Sequence, residues 1–284
     1  MTATTTGTSG PVLVTPRAVE RMSVVTLLRM LVSVAHSTAM QRIRRNGLFF
    51  YALVWTGPAV FGTLLVIFIY RDSPALRDYA IIGGVGVALL FGMQYNAGQI
   101  LDEQRLEGTL GNLFASPGPR YAWLAGFQVY AVVESLVAAA LTVSIGAGIF
   151  GLTVDVDPMT LFVVLVLLLM SMWGFSMLVG AVGLALRDAN QLSNLLSPIT
   201  TLFAGTMYPV DLMPDWVRIP AHCLPFSYGM DALVLAVTAK ASLADVAEDL
   251  LPLLGFAVVL PFIGMAAFRA VERRVRLEGA LDLV

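Results

Sequence analysis

The chain has 284 residues, of which 58% are hydrophobic and only 13% charged, with a formal net charge of −2. Soluble domains carry about a quarter charged residues, so this composition, with a mean hydropathy of +0.82, excludes an ordinary soluble enzyme and predicts one all-α polytopic membrane domain. Cys223 is the single cysteine, which rules out an intramolecular disulfide and a cysteine-based metal cage. The net charge selects no partner, and nucleic acid is not expected to be one.

Residues 1–15 are rich in Thr and Ser and read as a disordered tail. They lack the basic start and prompt apolar core of a signal peptide, so the first apolar span is expected to act as an uncleaved signal. Thr15-Pro16 has the form of a helix start, a cap followed by proline at the first helical position. From there to Asn46, Val24, Leu27, Leu28, Leu31, Val34 and Ala35 form an apolar stripe, with Arg17, Arg21, Arg29, Arg42, Arg44 and Arg45 at other positions. Such a helix lies at a membrane interface, either as a plain anchor or as one that also touches a cytoplasmic partner.

Residues 47–270 form the predicted transmembrane domain. Six spans are placed near Leu48–Ile69, Tyr79–Ile100, Tyr121–Phe150, Met159–Leu186, Gln191–Tyr208 and Leu251–Phe268. A bilayer needs roughly 20 apolar residues per span, and the longer third and fourth are expected to tilt or protrude. With the N-terminus inside, thirteen arginines face the cytoplasm, and Arg71, Arg77, Arg218 and Lys240 face out. That bias puts both termini, including the tail at 271–284, in the cytoplasm.

Between the second and third spans, Leu101–Pro117 is the most polar stretch of the interior. Leu106, Leu110, Leu113 and Phe114 recur at helical spacing, which predicts a short amphipathic helix at the surface. Gly108 and Gly111 weaken that helix, and Pro117 ends it. Between the last two spans, prolines at 209, 214, 220 and 225 forbid one long helix, while the apolar and aromatic content argues against a free loop. Short re-entrant or interfacial helices before the last span reconcile the two.

Glu107-Gly108-Thr109-Leu110 with Leu113 and Ser116-Pro117, followed by the Pro-rich outer segment through Leu224-Pro225, resembles the ABC-2 type transporter permeases. The resemblance implies an exporter subunit in a bacterial plasma membrane, paired with a second permease copy, identical or related, and coupled to a separate ABC ATPase subunit. The 101–114 segment would be the coupling helix. Leu106, Leu110 and Leu113 would pack on the ATPase, Glu103, Arg105 and Glu107 would make polar contacts, and Gly108 would allow a close backbone approach, with Thr109 also at the interface. Two departures from the commonest family pattern, Leu106 before Glu107 and Gly111 after Leu110, bear on the details of that pairing.

The chain carries no expected catalytic or metal site. The phosphate-binding loop of such transporters needs a lysine after a glycine-rich turn, and the one lysine, Lys240, stands in Thr-Ala-Lys-Ala. ATP and Mg are therefore expected on the partner ATPase. His36 and His222 fall on opposite sides of the predicted membrane and cannot share a metal. Gln94, Asn96 and Gln99 on the second span, and Asn194, Thr200 and Thr201 on the fifth, either line a substrate path or link helices at about 1 kcal/mol each. Glu134, inside the third span, is the most unusual residue. An intramembrane acid marks a proton site, a substrate contact or a buried pair, the first of which would make the chain a proton-coupled secondary transporter instead. Equally, this long helix can start outside the hydrocarbon, leaving Glu134 nearer the interface and bonded to a neighbouring helix.

Overall fold

Long apolar runs satisfy their backbone polar groups within a bilayer by forming helices. The computed structural model describes residues 24–70, 73–106, 108, 120–151, 156–186 and 188–277, and these are helical with no strand among them. In chain order the helices are α1 (Val24–Asn46), α2 (Leu48–Ile69), α3 (Pro74–Leu106), α4 (Arg120–Phe150), α5 (Pro158–Leu186) and α6 (Ala189–Phe203). A single 3-10 turn (Val210–Leu212) then leads to α7 (Asp215–His222), α8 (Pro225–Thr238) and α9 (Ala247–Leu277). Four stretches among the described residues are long and apolar enough to cross a membrane: Leu76–Gln94, Ala125–Phe150, Pro158–Leu186 and Ala247–Val271. α2 contributes a shorter apolar stretch, Val60–Ile69, and α6 has 15 residues.

α3 is the axis of the bundle, packing against α2, α4, α5, α6 and α8. Leu89, Leu90 and Met93 on α3 meet Leu168 and Met172 on α5, Phe226, Met230 and Leu233 on α8, and Leu253 on α9 in the main core. The most extensive helix pair is α5 with α9. It closes tightly because Gly174 carries no side chain: a Cβ there would stand 2.3 Å from the backbone of Leu260 and Pro261. Small residues at a helix crossing let the backbones approach and gain dispersion contacts where the hydrophobic effect offers little.

The outer segment folds into the short helices its prolines predict. α7 buries Val217 and Ala221 and leaves Trp216 and Ile219 exposed, whereas α8 is buried along most of its length.

Two boundaries differ from those expected. Leu101–Leu106 does not begin a separate helix but completes α3, because nothing in Asp102-Glu103-Gln104-Arg105 breaks a helix already under way. Gly108 adopts φ +65, the left-handed conformation that glycine reaches without strain, just beyond the helix end. The last helix likewise runs to Leu277, into the stretch expected to be a tail at 271–284, carried on by the helix-favouring Glu272-Arg273-Arg274. The expected tail at 1–15 and residues 107 and 109–119 lie outside the described residues.

Candidate functional site

The polar residues that an apolar bundle must account for collect where α1 meets α3 and α4. α1 lies on α4 through Val34, Ala35 and Ala39, which pack on Ile100, Phe127 and Tyr130. The same face, continued by one turn and then another, carries Thr38 and Arg42 inward. The Arg42 side chain is 2% exposed. Its guanidinium donates to Asn96 Oδ1, to Tyr130 Oη at 3.4 Å and to Glu103 Oε2 at 3.4 Å, and it stands 5.2 Å from the centre of the Tyr130 ring.

Glu134 is the second charge in this network, 8% exposed, with Oε2 3.8 Å from Arg42 Nη1. Asn96 Nδ2 donates to that Oε2 at 2.6 Å, and also to the carbonyl of Gly92 at 2.7 Å. Tyr51 and Tyr130 both donate to Oε1, Tyr130 at 2.9 Å, and their hydroxyls lie 2.6 Å apart. A buried charge is tolerated when paired and hydrogen-bonded. Here the partners come from four helices, so the network fixes α1, α2, α3 and α4 to one another.

Two adjacent carboxylates at the end of α3 extend this bonding outward. Glu103 is shared by Arg42 and by Arg45, whose Nη2 donates to Oε1 at 2.6 Å. Asp102 turns the other way and accepts the backbone N–H of Asn190 at 2.7 Å. The next N–H of α6, that of Gln191, is capped by Asp188 at 3.0 Å. The first N–H groups of a helix have no intrahelical acceptor, so α6 takes one cap from its own chain neighbour and one from α3.

Farther along, Thr200 on α6 donates to Gln94 Oε1 on α3 at 2.7 Å, and Thr201 donates to the Ser197 carbonyl at 2.8 Å. Gln128 on α4 donates to Ser176 on α5 at 3.1 Å, and Ser176 in turn donates to the Met93 carbonyl at 2.8 Å. On α8, Asp231 is half-buried. Burial, with the carboxylates of Asp249 and Asp211 nearby, pushes its carboxyl up to about 7.

Gln94, Asn96, Thr200 and Thr201 are thus buried within the chain; the first three join helices, whereas Thr201 bonds within α6. Gln99 is half-buried, and Asn194 lies on the exposed face of α6 with Asn190 Oδ1 at 3.3 Å. Glu103 is brought to the end of α3, with Arg105 and Leu106 in the same last turn. Glu107, Thr109, Leu110 and Leu113 lie outside the described residues, and Gly108 is exposed. Sequence reasoning missed Arg42, Tyr51, Asp102 and Tyr130. A signal for Arg42 existed, since Leu31, Ala35, Thr38 and Arg42 are spaced four, three and four apart on one helix face.

Comparison with curated proteins finds no match. The family model for the ABC-2 type transporter matches residues 9–237, which takes in α1 to α8 and the whole of the polar network. The chain therefore belongs to the ABC-2 type transporter family, the membrane-embedded permease components of ABC transporters.

Proposed function

We propose that this chain is the permease subunit of an ATP-driven exporter for a hydrophobic or amphipathic substrate. It works with a second permease copy and a separate ATPase subunit that binds ATP and Mg. In this reading six helices cross a plasma membrane, α2, α3, α4, α5, α6 and α9, with both termini cytoplasmic, α1 at the inner interface and α7 and α8 entering from outside.

The observation that carries the reading is the pair of bonds at the end of α3. Asp102 holds α6 by its first turn, and Glu103 holds α1 by two arginines. The 107–114 segment follows directly, so a push from a closing ATPase on it would reach α1, α3 and α6 together. Buried side-chain bonds then pass that displacement to α2 and α4 through Glu134. Alternation of the bundle as a packed body follows, because close-packed interiors shift between discrete arrangements rather than deforming smoothly.

The test is to purify the tagged chain in mild detergent with its co-purifying ATPase, and to repeat with Glu107→Arg. The expected result is an ATPase retained by the wild type and lost from the variant. A chain that purifies alone, and that transports under a pH gradient without nucleotide, would overturn the reading and turn attention to Glu134.

A further inference from the structure

At the side we assign to the cytoplasm, α1, α3 and α4 enclose an open cavity of about 380 Å³. That size is within the range of about 300–1,000 Å³ found for small-molecule sites. Arg42, Arg44 and Arg45 line it, with Glu103 as the one carboxylate and with Ile100 and Phe127 as its apolar wall. Glu103 is taken by Arg42 and Arg45. Arg44 is exposed at the same rim and makes no ion pair among the described residues.

We infer that this cavity holds the phosphate-bearing headgroup of an anionic lipid, with Arg44 as the residue that selects its charge. Arginine presents a planar fork of donors that matches phosphate oxygens, and it is less strongly hydrated than lysine. Basic pockets between helices on the cytoplasmic side are where anionic headgroups dock. The flanking residues fit a lipid better than a free anion. Leu48, Phe49 and Phe50 at the start of α2, directly after the arginines in the chain, are exposed apolar residues. Acyl chains would cover them while the headgroup reaches the guanidinium groups. A lipid seated there would touch both α1 and the end of α3, the two elements that Glu103 joins.

The test uses the full chain in detergent, titrated with phosphatidylglycerol or phosphatidylcholine and read by native mass spectrometry. The wild type is expected to retain phosphatidylglycerol in preference. Arg44→Glu should cut that retention by about fivefold or more, the factor that about 1 kcal/mol per basic residue at an anionic surface produces. Arg273→Glu, on α9 and away from the cavity lining, should leave it unchanged. Arg44→Gln, which only removes charge, provides a milder variant with a smaller loss if the reversal compromises folding. Equal retention of both lipids, or equal loss in the Arg44 and Arg273 variants, would overturn the inference. So would complete displacement of the lipid by millimolar inorganic phosphate, which would make the occupant a free anion.

Discussion

A guanidinium survives inside an apolar bundle only where its charge is answered, and Arg42 is answered by Glu103 and Glu134 on two different helices. Removing one partner from such a pair leaves a buried charge uncompensated, at a cost of about 3–5 kcal/mol. Arg42→Ala is therefore expected to lower the thermal midpoint in detergent far more than the double variant Arg42→Met with Glu134→Gln, in which neither charge remains. Equal losses in the two would show that the network acts by packing alone. Asp231 obeys the opposite logic. Its carboxyl is raised from 3.8 to about 7, so the folded chain holds a proton that the unfolded chain has released. The contribution of Asp231 to stability is fullest below the ordinary carboxylate value, falls as pH rises toward about 7, and is level above that. Asp231→Asn should match the wild type at pH 4 and exceed it at pH 8, as read by thermal melts. At this scale the sequence was half legible. Glu134 stood out because an acid is rare in such a run. Arg42 did not, because the inward face of α1 is decided by its contact with α4, and a helix with arginines along it reads as solvated.

Among elements, the α5–α9 pair depends on the absence of a side chain at Gly174. Overpacking a close contact costs about 1–3 kcal/mol. With helix backbone, not a flexible side-chain tip, as the neighbour, Gly174→Leu should reach or exceed the upper end and shorten the detergent half-life of the folded chain. Gly148, where an added Cβ meets no described atom within 4 Å, is the matched control, and Gly148→Leu should be well tolerated. The helices themselves were legible because apolar runs flanked by Pro and Gly leave few other structures open. Their ends were not. The polar Asp102-Glu103-Gln104-Arg105 looks like the start of a surface helix, yet polarity does not interrupt helical backbone, and α3 continues to Leu106. The short outer helices were legible from their prolines, of which Pro209 and Pro214 stand just before a helix and Pro225 in a first turn, although Pro220 lies inside α7.

For the whole molecule, the proposed coupling requires that α6 follow α3. Asp102→Ala removes one cap from α6, worth about 1 kcal/mol in stability. If Asp102 transmits movement as well, transport by the assembled complex should fall several-fold while ATPase activity and co-purification persist. Parallel losses of all three would mean that Asp102 serves the fold alone. The large exposed apolar side chains are no liability in this setting. Leu254, Val258 and Phe262 on α9 and Val133, Val137 and Leu141 on α4 suit lipid or, in the proposed assembly, a second permease copy.

The length of α3 has a mechanical consequence. Its 33 residues extend about 50 Å, against a hydrocarbon thickness of about 30 Å, and no proline interrupts it after the first position. Gly83 and Gly84 leave no room for a Cβ against Thr206 and Thr63, and near Gly92 the helix crosses α4 so closely that a Cβ would meet Ser135 Cβ at 2.6 Å. From there to Leu106 is about 21 Å, and to Pro74 about 27 Å. Close approaches at Gly83 and Gly84 hold one arm and the bonds of Asn96 and Asp102 hold the other, so α3 has no free end to swing. In the proposed coupling, a displacement imposed at the Asp102–Leu106 end is therefore expected to be shared with the helices seated along α3, as a keyed shaft carries its sleeve.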